Sequence, residues 1–295
     1  MNRTIKALLL VAIISGCAAV TVDLPPISDT ATGKHDSGRV VWHDLITTTP
    51  EASREFYGEM FGWTFEAPGI DLGFGGTESY MLIRHDGRLI GGMVDGRKLN
   101  TENNISQWIT VISVADVNAA VDRIISGGGK ILTPPTDLAS RGTLAVASDP
   151  SGAIFALITT VAGDPPATEP EFNDFLWNEL WTIDVDDHSS FYSDVFGYDR
   201  SDRDIADTGR SYRLLTVREK PQVGIMEHPF AGEIPVWANY IRVEDPSLYT
   251  ARAESLGGKV LLDTQDRDIG GQVALIAGPS GAGIALQTWP PQEKE

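Results

Sequence analysis

Apolar positions along this chain change period in a fixed order. From Val40 to Thr47 they read as a strand of mixed alternation, and from Ala52 through Phe56, Met60 and Phe61 they recur at the spacing of one helix face. Thr49 and Pro50, just ahead of that face, read as an N-cap and a first-turn proline. Strand signals follow at Tyr80 to Ile83 and Leu89 to Met93. They flank Asp86-Gly87, a pair that tolerates the positive φ of a type I′ hairpin turn. Trp108 to Val114 predicts another strand. Asp116 then caps a helix carrying Val117, Ala120, Val121, Ile124 and Ile125, which Gly127-Gly128-Gly129 ends. Ile131-Leu132, Leu144 to Ala147 and Ile154 to Ile158 predict three short strands, the last two joined by the turn Asp149-Pro150-Ser151-Gly152. Strand, helix and three strands are thus written twice.

The whole order then recurs. Trp42-His43-Asp44-Leu45-Ile46-Thr47 has a second copy, Trp177-Asn178-Glu179-Leu180-Trp181-Thr182, 135 positions on (177 − 42). Phe56-Tyr57 and Phe61-Gly62 reappear as Phe191-Tyr192 and Phe196-Gly197, and Gly278-Pro279-Ser280-Gly281 answers Asp149 to Gly152. Tyr212 answers Tyr80, Met226 answers Met93 and Trp237 answers Trp108. Two units result, 38–163 and 172–290, with the proline-rich stretch 164–171 as a linker. A length of 295 residues suits two domains.

The N-terminus carries a different message. Arg3 and Lys6 precede the apolar run Ala7 to Ile14, which is too short to span a bilayer as a mature helix and reads as an export signal over residues 1–16. The run closes on Ile14-Ser15-Gly16-Cys17, and Cys17 is the only cysteine of the chain. This stretch resembles the lipobox of bacterial lipoproteins. The resemblance implies that Cys17 is lipidated, that residues 17–37 form a flexible tether, and that the protein sits in the cell envelope. Ala18 in place of Asp implies the outer membrane, facing the periplasm. Formal net charge is −18, and loss of Arg3 and Lys6 with the signal makes it −20. Nucleic acid is therefore not expected as a partner, since phosphate binding draws on clustered Lys and Arg.

Four strand-helix-strand-strand-strand modules, with Phe-Tyr and Phe-Gly after the first strand and Asp-Pro-x-Gly or its variant before the last, resemble the vicinal oxygen chelate superfamily. Glyoxalases, bleomycin-resistance proteins and extradiol dioxygenases belong to it, and the similarity extends to its tandem, 27-kDa-antigen-like branch. The resemblance implies an α+β fold of four βαβββ modules in two tandem glyoxalase-type domains, each with a concave site. There, His or Glu side chains of relatives hold a divalent metal. Here the corresponding positions are Trp42 and Trp177, Ala156 and Ala285, with Ile109 and Ala238 near the remaining one. No metal or other cofactor is expected, because these side chains cannot replace an ion's hydration shell. His43 alternates to the face opposite Trp42 and Asp44, toward the packed helix. His35, His85, His188 and His228 form no ligand-spaced pair.

The concave faces instead offer Trp42 with Asp44, and Trp177, Trp181 with Glu179. An indole beside a carboxylate suits a planar or cationic small molecule. Tyr80, Tyr212 and Gln287 are further pocket candidates, and Asp44 or Glu179 could act as a general base if burial raised its pKa. The leading expectation is a metal-independent binding lipoprotein. An enzyme of glyoxalase, isomerase or dioxygenase type and a non-catalytic interaction module are the alternatives. A monomer suffices for either, and a dimer is compatible with both.

Overall fold

The computed structural model describes residues 22–68, 79–99, 104–204, 211–230, 234–267 and 270–289. The export signal and Cys17 lie outside the described residues. The fold is α+β. The first module comprises β1 (Val40–Thr47), α1 (Pro50–Phe61), β2 (Thr64–Glu66), β3 (Tyr80–His85) and β4 (Arg88–Asp95). The second comprises β5 (Gln107–Ser113), α2 (Val117–Ser126), β6 (Lys130–Asp137), β7 (Gly142–Ser148) and β8 (Ile154–Thr160). The third has β9 (Phe175–Thr182), α3 (Val185–Phe196), β10 (Asp199–Asp204), β11 (Ser211–Val217) and β12 (Lys220–Glu227). The last has β13 (Val236–Arg242), α4 (Pro246–Ala253), β14 (Lys259–Asp266), β15 (Gln272–Ala277) and β16 (Gly283–Gln287).

Each pair of modules makes one eight-stranded mixed sheet, ordered β2-β3-β4-β1-β5-β8-β7-β6 and β10-β11-β12-β9-β13-β16-β15-β14. The two orders are identical, as the repeat demands. Centrally, β1 runs antiparallel to β5 and parallel to β4, and β9 does the same with β13 and β12.

Local chemistry explains most boundaries. Asp116 accepts from the N–H groups of Asn118 and Ala119, Asp184 from Asp187, and Asp245 from Ser247, so three helices begin on a carboxylate. Helix α1 differs from expectation: Thr49 makes no cap, and Thr47 Oγ1 instead accepts from the Thr49 N–H at 3.1 Å and bonds Ser53 Oγ at 2.7 Å. Asp86 and Gly87 take φ values of 46° and 77°, as the hairpin required.

Period-two alternation sends alternate side chains of every strand to opposite faces. Behind the sheets, α1 and β1 pack with α4, β15 and β16, while α2 and β8 pack with α3 and β12. Each of these two cores therefore draws on both domains, and the domains stand back to back. A polar seam crosses the middle of that interface. Thr110 Oγ1 and Asn178 Nδ2 both donate to Asn239 Oδ1, at 2.8 and 2.7 Å, and Asn178 Nδ2 also reaches His43 Nε2 at 2.9 Å. His43 thus faces the other sheet rather than a helix. It stacks on Phe175 with ring centroids 3.7 Å apart.

The segment expected as a flexible tether is packed over its described part. Leu24 and Ile27 are buried in the concave hollow of the first sheet among Trp42, Tyr80, Leu138 and Leu144. The Leu24 N–H donates to the Leu138 carbonyl at 3.2 Å. Further on, Gly33 donates to the Ala162 carbonyl, and the backbone N–H groups of Asp36 and Asp164 complete a clasp through Asp164 Oδ2 and the Lys34 carbonyl. Burying two aliphatic side chains stabilises this strap by roughly 3–6 kcal/mol before chain ordering is charged against it.

Candidate functional site

The outward, concave faces carry the candidate residues. On β1, Trp42 and Asp44 are two positions apart and share a face, which lets the Trp42 Nε1–H reach Asp44 Oδ1 at 2.9 Å. Tyr80, on β3, reaches across β4 and donates to the same oxygen at 2.8 Å. It can do so because the β4 residue opposite Asp44 is Gly92: a β-carbon there would lie 2.0 Å from Tyr80 Oη and 2.3 Å from Asp44 Oδ1. Arg141, in the β6–β7 turn and almost wholly buried, donates through Nη1 to Tyr80 Oη at 2.7 Å. Its guanidinium also lies 5.3 Å from the Trp42 ring centroid. Burial pushes the Asp44 carboxyl above the usual range, against the Arg141 charge and the Tyr80 and Trp42 bonds.

The second sheet repeats the plan with one methylene more. Glu179 is fully buried opposite Gly224, where a β-carbon would meet Tyr212 Oη at 2.3 Å. Its Oε1 accepts from Tyr212 Oη at 2.6 Å and from Arg267 Nη2, and its Oε2 accepts from Tyr240 Oη at 2.5 Å and Trp181 Nε1 at 3.4 Å. The longer side chain reaches its arginine directly, whereas Asp44 meets Arg141 through Tyr80. Burial and then the Glu179 charge push the Tyr212 and Tyr240 hydroxyls well above their ordinary pKa, so both stay protonated as donors. Four donors thus converge on the two carboxylate oxygens of Glu179. Trp177 turns to Tyr212 instead, donating at 3.0 Å. Gln287, buried behind Arg267, accepts from its Nη1 at 2.5 Å and leaves Nε2 without a partner.

All eight concave-face candidates therefore gather at two equivalent sites. Two arginines and Tyr240 were missed. Arg141 and Arg267 sit at opposite ends of corresponding turns: the Leu138 and Arg267 N–H groups donate to the Gly142 and Gly271 carbonyls, so Arg267 matches Leu138 and Arg141 matches Gly270, and the repeat does not signal them. Tyr240 has only Val111 as its counterpart. Register also corrects one equivalence: Asp44 and Leu45 face Gly92 and Met93, while Glu179, Leu180 and Trp181 face Gly224, Ile225 and Met226. Met226 therefore matches Val94, on the concave face, and Met93 belongs to the back core.

The two sites differ in occupancy by the chain itself. Leu24 and Ile27 fill the first, with the Pro25 carbonyl accepting from Arg141 Nε at 2.9 Å. Over the second lies a cavity of about 100 Å³ bordered by Trp181, Tyr212, Tyr240, Arg267, Met226 and Leu262.

Comparison with known proteins decides the family. The model of the Glyoxalase/Bleomycin resistance protein/Dioxygenase superfamily matches residues 39–157. A Mycobacterium bovis protein named "Putative glyoxylase CFP32" is 30% identical over 260 residues, covering 88% of this chain and 98% of that protein. The chain belongs to this superfamily. Anthracycline biosynthesis protein DauV of Streptomyces sp. (strain C5) is 28% identical over 264 residues, covering 84% of this chain and 92% of its own. Among solved structures, the Mn(II)-bound glyoxalase of Novosphingobium aromaticivorans shares the fold with a TM-score of 0.58 at 14% identity, covering 86% of this chain and 83% of that one. A catechol 2,3-dioxygenase does so at 0.54 and 12%, covering 88% and 96%.

The superfamily implies a divalent metal, and the residues present do not fit one. Trp42, Ile109 and Ala156 occupy the relevant strands of the first sheet, and Trp177, Ala238 and Ala285 those of the second. Asp44 and Glu179 each stand beside an arginine, whose charge opposes a second cation. Among the described residues no group of three or more His, Cys, Asp or Glu side chains could hold an ion. The histidines are engaged elsewhere: His85 with Asp174 at 2.7 Å, His188 with Thr182 at 2.9 Å, His35 with Thr160 at 3.2 Å.

Proposed function

We propose that the protein binds a small planar molecule in the concave pocket of its second domain without a divalent metal. The observation that carries this reading is the contrast between the sites: equivalent polar floors, one covered by Leu24 and Ile27, the other open to a cavity. Most of the wall is aromatic and aliphatic, with the Glu179–Arg267 pair at its base and Gln265 and Asp266 on its border. That pair refines the ligand chemistry. Glu179 already has its cation, and Arg267 lies 4.8 Å from the Tyr240 ring, so the cation–π role expected of a ligand is filled from within. A planar molecule therefore suits the wall, and Asp266 on the border is the one lining carboxylate left to meet a positive group. Titrating tryptophan fluorescence with one- and two-ring compounds tests this reading: saturable quenching, insensitive to chelators and absent in Trp181→Phe, is expected. A flat response across such a panel would count against it.

The glyoxylase name of the mycobacterial relatives favours one second reading, an enzyme on a small oxygenated substrate. Its base would be Glu179, and Glu179→Gln would then abolish turnover while sparing binding.

The proposal also places the protein in the bacterial envelope, held to the outer membrane by a lipidated Cys17. The apolar run ending at Cys17 supports this. Among the described residues no helix is long and apolar enough to cross a membrane. Incorporation of labelled palmitate into the native chain, lost in Cys17→Ser, is the expected result. An unlabelled native chain would contradict it.

A further inference from the structure

The strap fills the first concave site without satisfying it. Arg141 is only 2% exposed, and its guanidinium lies 5.3 Å from the Trp42 ring centroid and 5.0 Å from that of Tyr80. Its Nη1 donates to Tyr80 Oη and its Nε to the Pro25 carbonyl, while Nη2 is buried with no acceptor. A desolvated donor left unpaired is costly. Among the described residues no carboxylate makes an ion pair with Arg141, whereas Arg267 in the second site meets Glu179 directly. Asp44, the carboxylate of this floor, is held off by the Tyr80 hydroxyl that donates to it.

The shape of the guanidinium names what is missing. Nε–H and Nη2–H lie along one edge of the plane and point side by side, a fork that matches the two oxygens of a carboxylate. A peptide carbonyl brings one oxygen to that edge, so Pro25 occupies half of a site for two acceptors. Leu24 and Ile27, packed among Trp42, Leu82, Leu138 and Leu144, show that the hollow receives an apolar body beside that oxygen.

The strap is held in a way that lets it leave. Pro25 and Pro26 have no N–H to give, so this stretch cannot pair along the sheet as a full strand. Its further ties here are Asp23 Oδ1, which accepts from the Ser140 N–H at 3.0 Å, and the exposed Asp29–Arg84 pair at 2.7 Å. Both carboxylates belong to the strap and depart with it, which makes the vacated hollow more receptive to an anion.

We propose that the first-domain hollow is a binding site for an apolar carboxylate, closed by the strap, with the Pro25 carbonyl in the place of one carboxylate oxygen and Arg141 Nη2 open to the other. This site is separate from the second-domain pocket, and its test succeeds or fails independently of that reading.

The test uses N-acetyl-leucyl-proline, which copies Leu24 and Pro25 but ends in a carboxylate, and its carboxamide, which keeps one acceptor oxygen and loses the other. Both are titrated calorimetrically into the whole chain carrying Leu24→Ser and Ile27→Ser, changes that loosen the strap and bring no carboxylate of their own. The acid is expected to bind about ten-fold or more tighter than the carboxamide, and more weakly to the native chain, where the strap competes. Arg141→Gln, added to the loosened chain, is expected to erase the preference. Should the loosened chain fold poorly, hydrogen exchange on the native chain serves instead: saturating acid is expected to deprotect the Leu24 amide, and the carboxamide to leave it protected. Equal binding of acid and carboxamide, a preference that survives Arg141→Gln, or no binding to a chain whose amide at position 24 has lost protection would each overturn the proposal.

Discussion

Arg141 donates through Nε to the carbonyl oxygen of Pro25 at 2.9 Å. The bond joins the polar floor of the first concave site to a segment of the same chain, and Leu24 and Ile27 on either side complete the closure. Among the described residues, Arg267 in the corresponding turn of the second domain has no such strap.

Seating of the strap depends on Leu24 and Ile27 remaining apolar. Replacing both with aspartate would place carboxylates in a hollow that offers them no cation other than Arg141, and the strap should leave. Hydrogen exchange would show this directly: protection of the Leu24 amide, bonded to the Leu138 carbonyl, is expected to vanish while the amides of β1 and β5 keep theirs. Retained protection at Leu24 would mean that the backbone bonds alone hold the segment.

Gly92 and Gly224 are required by what passes over them. An alanine β-carbon would fall 2.0 Å from Tyr80 Oη or 2.3 Å from Tyr212 Oη, inside any tolerable contact. Gly92→Ala and Gly224→Ala should each break a tyrosine–carboxylate bond and cost about 2–4 kcal/mol, read from denaturant midpoints. A loss below about 1 kcal/mol would show that the tyrosine finds another route to the carboxylate.

Much of this was legible in the sequence, for reasons specific to particular residues. The alternation at Trp42, Asp44, Trp177, Glu179 and Trp181 fixed which side chains share a concave face, because strand geometry leaves only two choices. The repeat gave the domain count and the matching tyrosines. The strap was not legible: Pro25-Pro26 and the polar residues after it carry no period, and what orders them is a hollow built by β1, β3 and β7, far away in sequence. The arginines were missed because turn residues have no periodicity to betray their direction. His43 was placed on the correct face of its strand, but its partner belongs to the other domain, and back-to-back packing is not written in either repeat alone.

His43 provides a pH test of that packing. Burial holds its pKa at about 3, against the opposing bond from Asn178, while an unfolded histidine titrates near 6.5. Above pH 6.5 both states are neutral and the site contributes no pH dependence. Below it the unfolded chain gains a proton that the folded chain refuses, so stability falls as the pH drops from 6.5 toward 3, by about 1.4 kcal/mol per unit once below 6.5. Asp44, whose pKa burial raises, acts in the opposite sense over the acidic end of that window. His43→Gln, whose amide oxygen can still accept from Asn178, should flatten the decline between pH 6 and 5. An unchanged slope in that variant would place the acid sensitivity elsewhere.

The Glu179–Arg267 pair should behave as a buried ion pair, costly to break and cheap to replace. Arg267→Met alone, leaving Glu179 charged and buried, is expected to cost about 3–5 kcal/mol. Adding Glu179→Gln should recover part of that loss, and the coupling can be read from a double-mutant cycle of unfolding free energies. Additive effects would mean that Tyr212 and Tyr240 alone satisfy the carboxylate.

The most direct test of the second pocket is a calorimetric titration of the whole chain with acetophenone in excess chelator, repeated on Met226→Trp, where the larger side chain fills the cavity. One equivalent bound per chain, unaffected by chelator and lost when the cavity is filled, is the predicted result. Binding that needs added manganese, or that survives in Met226→Trp, would contradict a metal-free site in the second domain.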